Sequence, residues 1–156
     1  MRIIVISDTH GREYKIRDIL SDQPEADALI CLGDGVKGVE NMMEDYPRIK
    51  LYAVAGNCDT SPHLRDYDII KIAGKQLLIT HGHTYGVKFG IEKLLNTAGV
   101  LGVDMVLYGH THIPHNEYLD GLYILNPGSV GKGNPSCSYA TVDIVKGQIF
   151  ANIVKI

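Results

Sequence analysis

Five short polar clusters hold the side chains of this 156-residue sequence that could do chemistry: Asp8-Thr9-His10, Gly33-Asp34, Gly56-Asn57-Cys58-Asp59, Thr80-His81-Gly82-His83 and Gly109-His110-Thr111-His112. Taken singly, each reads as an ordinary polar turn. Together they collect carboxylates, an amide oxygen and imidazoles, donors that suit borderline or moderately hard divalent ions and do not make a soft thiolate site. Asp8, His10, Asp34, Asn57, His81, His110 and His112 exceed the four ligands of a single zinc ion. One bridging carboxylate would let them furnish two metal positions. Two divalent ions are therefore expected, with manganese the first candidate and nickel, iron, cobalt or zinc the alternatives. Asp8 and His10 stand two residues apart, which sends both side chains the same way if extended geometry persists.

The elements before these clusters explain how they could converge. Arg2 to Ser7, Leu29 to Leu32 and Leu51 to Ala55 are short apolar runs read as buried strands. Tyr14 to Leu20 places Ile16, Ile19 and Leu20 on one helical face, and Val39 to Tyr46 is a second helix stopped by Pro47. Strand, helix, strand, helix, strand favours a parallel sheet with functional loops at its carboxyl edge. Farther on, Asp68 to Ile72 and Gln76 to Thr80 flank a Gly74-Lys75 turn, Val87 to Thr97 reads as a helix ending near Gly99, and Met105 to Tyr108 is a strand. Hairpins around Asp120-Gly121 and Lys146-Gly147 make the second half mostly antiparallel, so a mixed α/β architecture with two packed sheets fits best.

The bulk numbers narrow the function classes. A chain of 156 residues, 45% hydrophobic and 21% charged, suits one domain over residues 1–156 with its own core. Fifteen Lys and Arg against eighteen Asp and Glu give a net charge of -3, so no extended nucleic-acid partner is expected, whereas a small anion at a local metal centre is compatible. Cys31, Cys58 and Cys137 are odd in number and widely spaced, which reads as reduced thiols and a cytoplasmic protein. No apolar run approaches the roughly 20 residues of a membrane helix. Strand edges and apolar helix faces are compatible with a homo-oligomer.

The order and spacing of the clusters resemble the calcineurin-like metallophosphoesterase family, whose pattern is D-x-H, G-D, G-N-H-D/E, a later His and G-H-x-H. The likeness runs from Asp8 through His112, and Asn126-Pro127-Gly128-Ser129 is similar to the small microbial phosphodiesterase branch. The resemblance implies a four-layer αββα sandwich with two mixed β-sheets, a dinuclear centre and phosphodiester hydrolysis. In it, Asp8, His10, Asp34 and His112 hold one ion, Asp34 bridges, and Asn57, His81 and His110 complete the second. A metal-bridging hydroxide would attack phosphorus in line. Asp34, Asn57, Cys58 and Asp59 are the catalytic candidates. His83 and Lys132 are substrate-binding candidates, and Gly128, Ser129 and Gly131 offer a phosphate-facing turn. The sequence departs from the family at Cys58, where many members carry histidine; a thiol is a poor proton donor beside a metal, so esters with good leaving groups are favoured. Two divalent ions less two carboxylates and one hydroxide leave about +1, which a diester monoanion neutralises and a monoester dianion overshoots. A phosphomonoesterase, a nuclease and a non-enzymatic metal-binding scaffold are the alternatives; retention of every matching ligand argues against the last.

Overall fold

In the computed structural model, which describes residues 1–133 and 136–156, alternation along the apolar runs is resolved into two stacked five-stranded sheets. Strand β1 (Arg2–Ile6) turns Ile3 and Val5 toward the other sheet and Ile4 and Ile6 toward helices. A strand covered on both faces has no polar positions to spare, which is why it reads as unbroken hydrophobic sequence. Helix α1 (Glu13–Asp22) buries Ile16, Ile19 and Leu20. Strand β2 (Ala28–Cys31), helix α2 (Val36–Met43) and strand β3 (Lys50–Ala53) complete the parallel half. The sheet is closed on its other side by the antiparallel strands β9 (Ser138–Val145) and β10 (Gln148–Lys155), giving the order β10-β9-β1-β2-β3.

The second sheet has the order β4-β5-β6-β8-β7, from β4 (Tyr67–Ile72), β5 (Lys75–Thr80), β6 (Met105–Leu107), β7 (His115–Leu119) and β8 (Leu122–Asn126). Its β5, β6 and β8 are parallel neighbours, and antiparallel β4 and β7 form its edges. Ile70, Leu77, Ile79, Met105, Leu107 and Leu125 meet Ile3, Val5, Ile30 and Val54 between the sheets. Each such side chain contributes roughly 1.5–3 kcal/mol by leaving water. Helix α3 (Glu92–Leu101) packs Leu94 and Ala98 on Leu78, Val106 and Ile124 across the outer face. The layers are therefore helices α1 and α2, sheet, sheet, and helix α3, the αββα sandwich expected.

Several local boundaries differ from the expectations, among them the end of α2 at Met43 instead of Tyr46 and β3 at Lys50–Ala53 instead of Leu51 to Ala55, and three of the differences have a visible cause. Residues 87–90 are not helical: the N–H of Val87 bonds back to Gly82 O, the N–H of Phe89 bonds to Gly86 O, and α3 begins only at Glu92. It then runs through Gly99 and ends at Gly102, whose left-handed φ of 63° closes it with bonds to Ala98 O and Gly99 O. Helix α2 begins three residues earlier than expected, at Val36, because the carboxylate of Asp59 caps its first turn. The first hairpin turns at Ala73-Gly74, one residue earlier than Gly74-Lys75, since Lys75 already pairs with Ile72. Ala73-Gly74, Asp120-Gly121 and Lys146-Gly147 all have two successive positive φ values, the type I′ pattern that matches strand twist.

Candidate metal centre

All five polar clusters follow the carboxyl ends of parallel strands, the edge where open α/β sheets place ligands. Asp8 and His10 follow β1, Asp34 follows β2, Asn57 follows β3, His81 follows β5, and His110 and His112 follow β6. The two sheets meet here: His110 N donates to Asp8 Oδ2 at 3.2 Å, and His81 Nδ1 donates to Leu32 O at 2.7 Å. That last bond fixes the imidazole tautomer, leaving the Nε2 lone pair of His81 turned into the site. His81 Nε2 stands 3.6 Å from Asp34 Oδ2, 3.9 Å from Asp8 Oδ1 and 3.0 Å from His110 Nδ1. On the other side, His10 Nε2 is 4.0 Å from both Asp8 Oδ1 and Asp34 Oδ2, and His112 Nε2 is 3.0 Å from Asp8 Oδ1.

The backbone reaches this convergence by a route other than extended alternation. Among the described residues eight non-glycine positions have left-handed φ; three lie in the hairpin turns, and the other five are Asp8, His10, Asp34, His110 and His112. Each such conformation costs of order 1–3 kcal/mol and persists only where its surroundings enforce it. The enforcing contacts are visible. Asp8 N bonds to Gly33 O at 3.0 Å, His10 N to Asp34 O at 3.2 Å, and Gly109 N to His81 O at 3.1 Å. Gly56 approaches Asp34 so closely that a Cβ there would overlap Asp34 Oδ1 and lie 2.8 Å from its Cγ.

Asp8 is fully buried, and its two oxygens are treated differently. Oδ2 accepts from Ser7 Oγ at 2.6 Å and from His110 N. Oδ1 has no hydrogen-bond partner among the described residues, because the neighbouring His112 nitrogen approaches without bonding geometry. A buried carboxylate oxygen left bare costs several kcal/mol unless a cation meets it. Two ligands about 2.0–2.2 Å from one ion stand no more than about 4.4 Å apart. In the compact sets Asp8–His10–His112 and Asp8–Asp34–His81 the imidazole-to-carboxylate distances are 3.0 to 4.0 Å, inside that limit, so the donors fit divalent ions in both composition and spacing. Asp34 belongs to both halves through His10 and His81.

Charge follows the same geometry. Burial works against ionising Asp34, but the Cys58 N–H, His81, the Cys58 thiol and His10 together hold its carboxyl below the ordinary range. Burial, then His81 and Lys88, push His110 down to about 4 against the pull of Asp8 and Asp34, so its ring is neutral and able to ligate near neutral pH. The thiol of Cys58 is raised, first by its hydrogen bond to Asp34 and then by burial.

The remaining candidates fall in distinct places. Asn57 and Cys58 are exposed, with Asn57 Nδ2 3.4 Å from Cys58 Sγ and Cys58 N donating to Asp34 Oδ1 at 2.9 Å. Asp59 accepts from the N–H groups of Asp34, Gly35, Val36 and Gly56 at 2.7 to 3.1 Å. His83 opens a 3-10 turn (His83–Tyr85), its ring 5.5 Å from that of His81 and its Nδ1 buried without a partner among the described residues. Lys132 is exposed; its N–H bonds to Ser129 Oγ, which in turn donates to Asp8 O at 2.9 Å. The Gly131 N–H also bonds to Asp8 O, so the turn after Asn126 braces the first cluster. Asn126 itself donates to Gly109 O and Thr111 Oγ1 at 3.0 Å, pinning the His110–His112 loop.

Sequence reasoning passed over Ser7 and Lys88. Ser7 had a signal, the one polar residue closing an otherwise apolar run. Lys88 had none, since its influence on His110 depends on residues 82–87 folding back on themselves.

The comparisons agree with this geometry. The profile of the calcineurin-like phosphoesterase superfamily domain matches residues 1–147, and the chain belongs to that superfamily of metal-dependent phosphoester hydrolases. The probable metallophosphoesterase YsnB of Bacillus subtilis (strain 168) is 33% identical over 132 residues, covering 83% of this chain and 75% of that one. Phosphodiesterase YfcE of Escherichia coli (strain K12) is 29% identical over 168 residues, covering 92% and 88%. Among solved structures, a conserved uncharacterized protein of Streptococcus pneumoniae TIGR4, a predicted phosphoesterase, superposes with a TM-score of 0.85 at 25% identity over 99% of this chain and 88% of that one. No helix among the described residues is long and apolar enough to cross a membrane.

Proposed function

We propose that this chain hydrolyses small phosphodiesters at two divalent ions that share Asp34. The observation that carries the reading is the bare, fully buried Asp8 Oδ1 beside His112, one shell of contacts away from Asp34 and His81. Asp8, His10, Asp34 and His112 would hold one ion, and Asp34, Asn57, His81 and His110 the other, with manganese tried first. When bound, such a pair supplies Lewis acidity toward the phosphoryl oxygens and activates water for in-line displacement.

The chain's own residues divide the remaining work. Leu32 O holds His81 in the tautomer that ligates, and Ser7 holds Asp8 so that Oδ1 faces the ions. Asp59 is a positioning residue, because its oxygens are engaged by backbone N–H groups of the loops that bear Asp34 and Asn57. His83 offers a nitrogen to a substrate oxygen on the His81 side. Lys132 is left in solvent with only its backbone engaged, which weakens its case as the phosphate cation. Lys88 is exposed as well, but its charge is felt by His110, which gives the second reading, phosphomonoester hydrolysis, its one specific support.

The test is metal-free purification, reconstitution with manganese, nickel, cobalt, zinc or iron, and turnover of matched aryl diesters and monoesters per bound metal pair. Diester turnover should exceed monoester turnover, and Cys58→Ser and Cys58→Ala should stay within about tenfold of wild type in manganese, because a good leaving group needs no thiol acid. Faster monoester turnover would overturn the preference, and no turnover with any loaded metal would overturn the activity.

A further inference from the structure

We propose that Cys58 is a thiol ligand toward the ion held by His10 and Asp34, so that the centre favours thiophilic divalent ions over manganese when both are offered. The inference rests on the two-ion reading above and adds an eighth donor, of different chemistry, to it.

The geometry that points there is a third compact donor set. Cys58 Sγ, a ring nitrogen of His10 and a carboxylate oxygen of Asp34 lie within 4.8 Å of one another, the same spread as the two sets without sulfur. His10 is common to this set and to the one containing the bare Asp8 Oδ1, so an unsatisfied buried oxygen points to a cation in the same small volume.

The loop that carries the sulfur is held in place by its backbone. Cys58 N donates to Asp34 Oδ1 at 2.9 Å, and Asp59 ties Gly56 N and Asp34 N to one carboxylate at 2.8 and 2.7 Å, locking the 56–59 loop to the loop that carries the shared ligand. Asn57 Nδ2 lies 3.4 Å from Sγ and donates to it, a bond that a metal-held thiolate would keep, while without metal the thiol itself is held protonated by its hydrogen bond to Asp34. Neither other cysteine is so placed. Cys31 is fully buried on β2 against the helices, and Cys137 sits 3.1 Å from Lys15 Nζ and belongs to none of the compact donor sets among the described residues.

The chemistry is a ligand exchange without redox change. One S–H bond breaks, one S–metal bond forms, and the proton leaves to solvent as the ion takes over the Asp34 oxygen that the thiol now contacts. Thiolate ligands select zinc, cobalt or cadmium over manganese. An imidazole at this position would also prefer zinc and cobalt to manganese, but by less, and it lacks the thiolate's added affinity for cadmium.

Cobalt(II) is the probe. Metal-stripped wild type should take up two equivalents and show thiolate-to-cobalt charge-transfer absorption in the near ultraviolet; Cys58→Ser should keep the visible cobalt bands and lose that absorption, while Cys137→Ser keeps both. In competition, the preference for cadmium over manganese should fall tenfold or more in Cys58→Ser. Bound cobalt should also shield Cys58 of the wild type from alkylation, read by mass spectrometry, which needs no substitution to fold. Two bound cobalt ions without the sulfur band, or with Cys58 alkylated at the metal-free rate, would overturn this inference and leave the two-ion reading standing. Failure to bind a second cobalt would overturn the two-ion reading, and this one with it.

Discussion

Replacing Asp59 by alanine should damage the fold first and the chemistry as a consequence. Four backbone N–H groups, from Asp34, Gly35, Val36 and Gly56, converge on its carboxylate at 2.7 to 3.1 Å. Two of them open helix α2, where the N-cap Gly35 has no side chain to offer. Loss of a helix cap costs about 1 kcal/mol, and each part-buried donor left without an acceptor costs about 1 kcal/mol more once water has partly replaced it. The sum is on the order of 4 kcal/mol, a fall in melting temperature of roughly 8–16 °C for a chain of this size. Asn would restore only part of this, because its one carbonyl oxygen can accept one pair of these N–H groups while its NH2 faces the donors of the other pair. Calorimetry of metal-free wild type, Asp59→Ala and Asp59→Asn measures this directly. If both variants melt within about 2 °C of wild type while turnover collapses, Asp59 belongs to the chemistry and the positioning argument is wrong.

Three further outcomes follow from the same contacts. A Cβ at Gly109 would overlap Ser7 Oγ and stand 3.2 Å from Asp8 Oδ2, so Gly109→Ala should cost about 1–3 kcal/mol and weaken metal binding tenfold or more by turning Asp8; unchanged affinity in a metal titration would contradict this. Asp34→Ala should abolish turnover and the paired metal stoichiometry while the chain stays folded, and near-normal turnover would reject Asp34 as the shared ligand. Because His110 is pushed down to about 4, the folded state takes its proton less readily than the unfolded chain. Its contribution to stability is therefore complete above pH 6.5 and lost as pH falls toward about 4, with the lowered Asp34 adding to the loss below its ordinary range. Melting temperatures of metal-free protein should decline across that window, with a shallower decline in His110→Gln; identical slopes would refute the assignment.

Much of the site was legible because its information is local. A strand covered on both faces must be apolar throughout, so the point where Ile3 to Ile6 yields to Ser7 and Asp8 marks a strand end whatever the tertiary structure, and the same holds before Asp34, His81 and His110. Type I′ hairpins were legible from Asp-Gly and Lys-Gly, because a left-handed pair of φ values recruits glycine. The unread part depended on distant contacts. Extended geometry was expected to aim Asp8 and His10 together, whereas left-handed turns do so, and those are enforced by bonds to Gly33 and Asp34 that no local pattern encodes. Asp59 read as a catalytic candidate by type, but its partners lie 23 to 25 residues away on another loop, apart from nearby Gly56. The helical pattern through Val87 and Phe89 was overridden when Val87 packed onto Gly82, leaving Phe89 in solvent and starting α3 five residues late.

The most direct test of the account is to titrate metal-stripped protein with manganese while recording, at each addition, both bound equivalents and turnover of an aryl phosphodiester. On the proposed reading, in which Asp34 serves both ions and each needs the other to act, turnover should stay low through the first equivalent and rise with the second, reaching its plateau at two. Full turnover at one equivalent, or none when two are bound, would contradict a dinuclear phosphodiesterase.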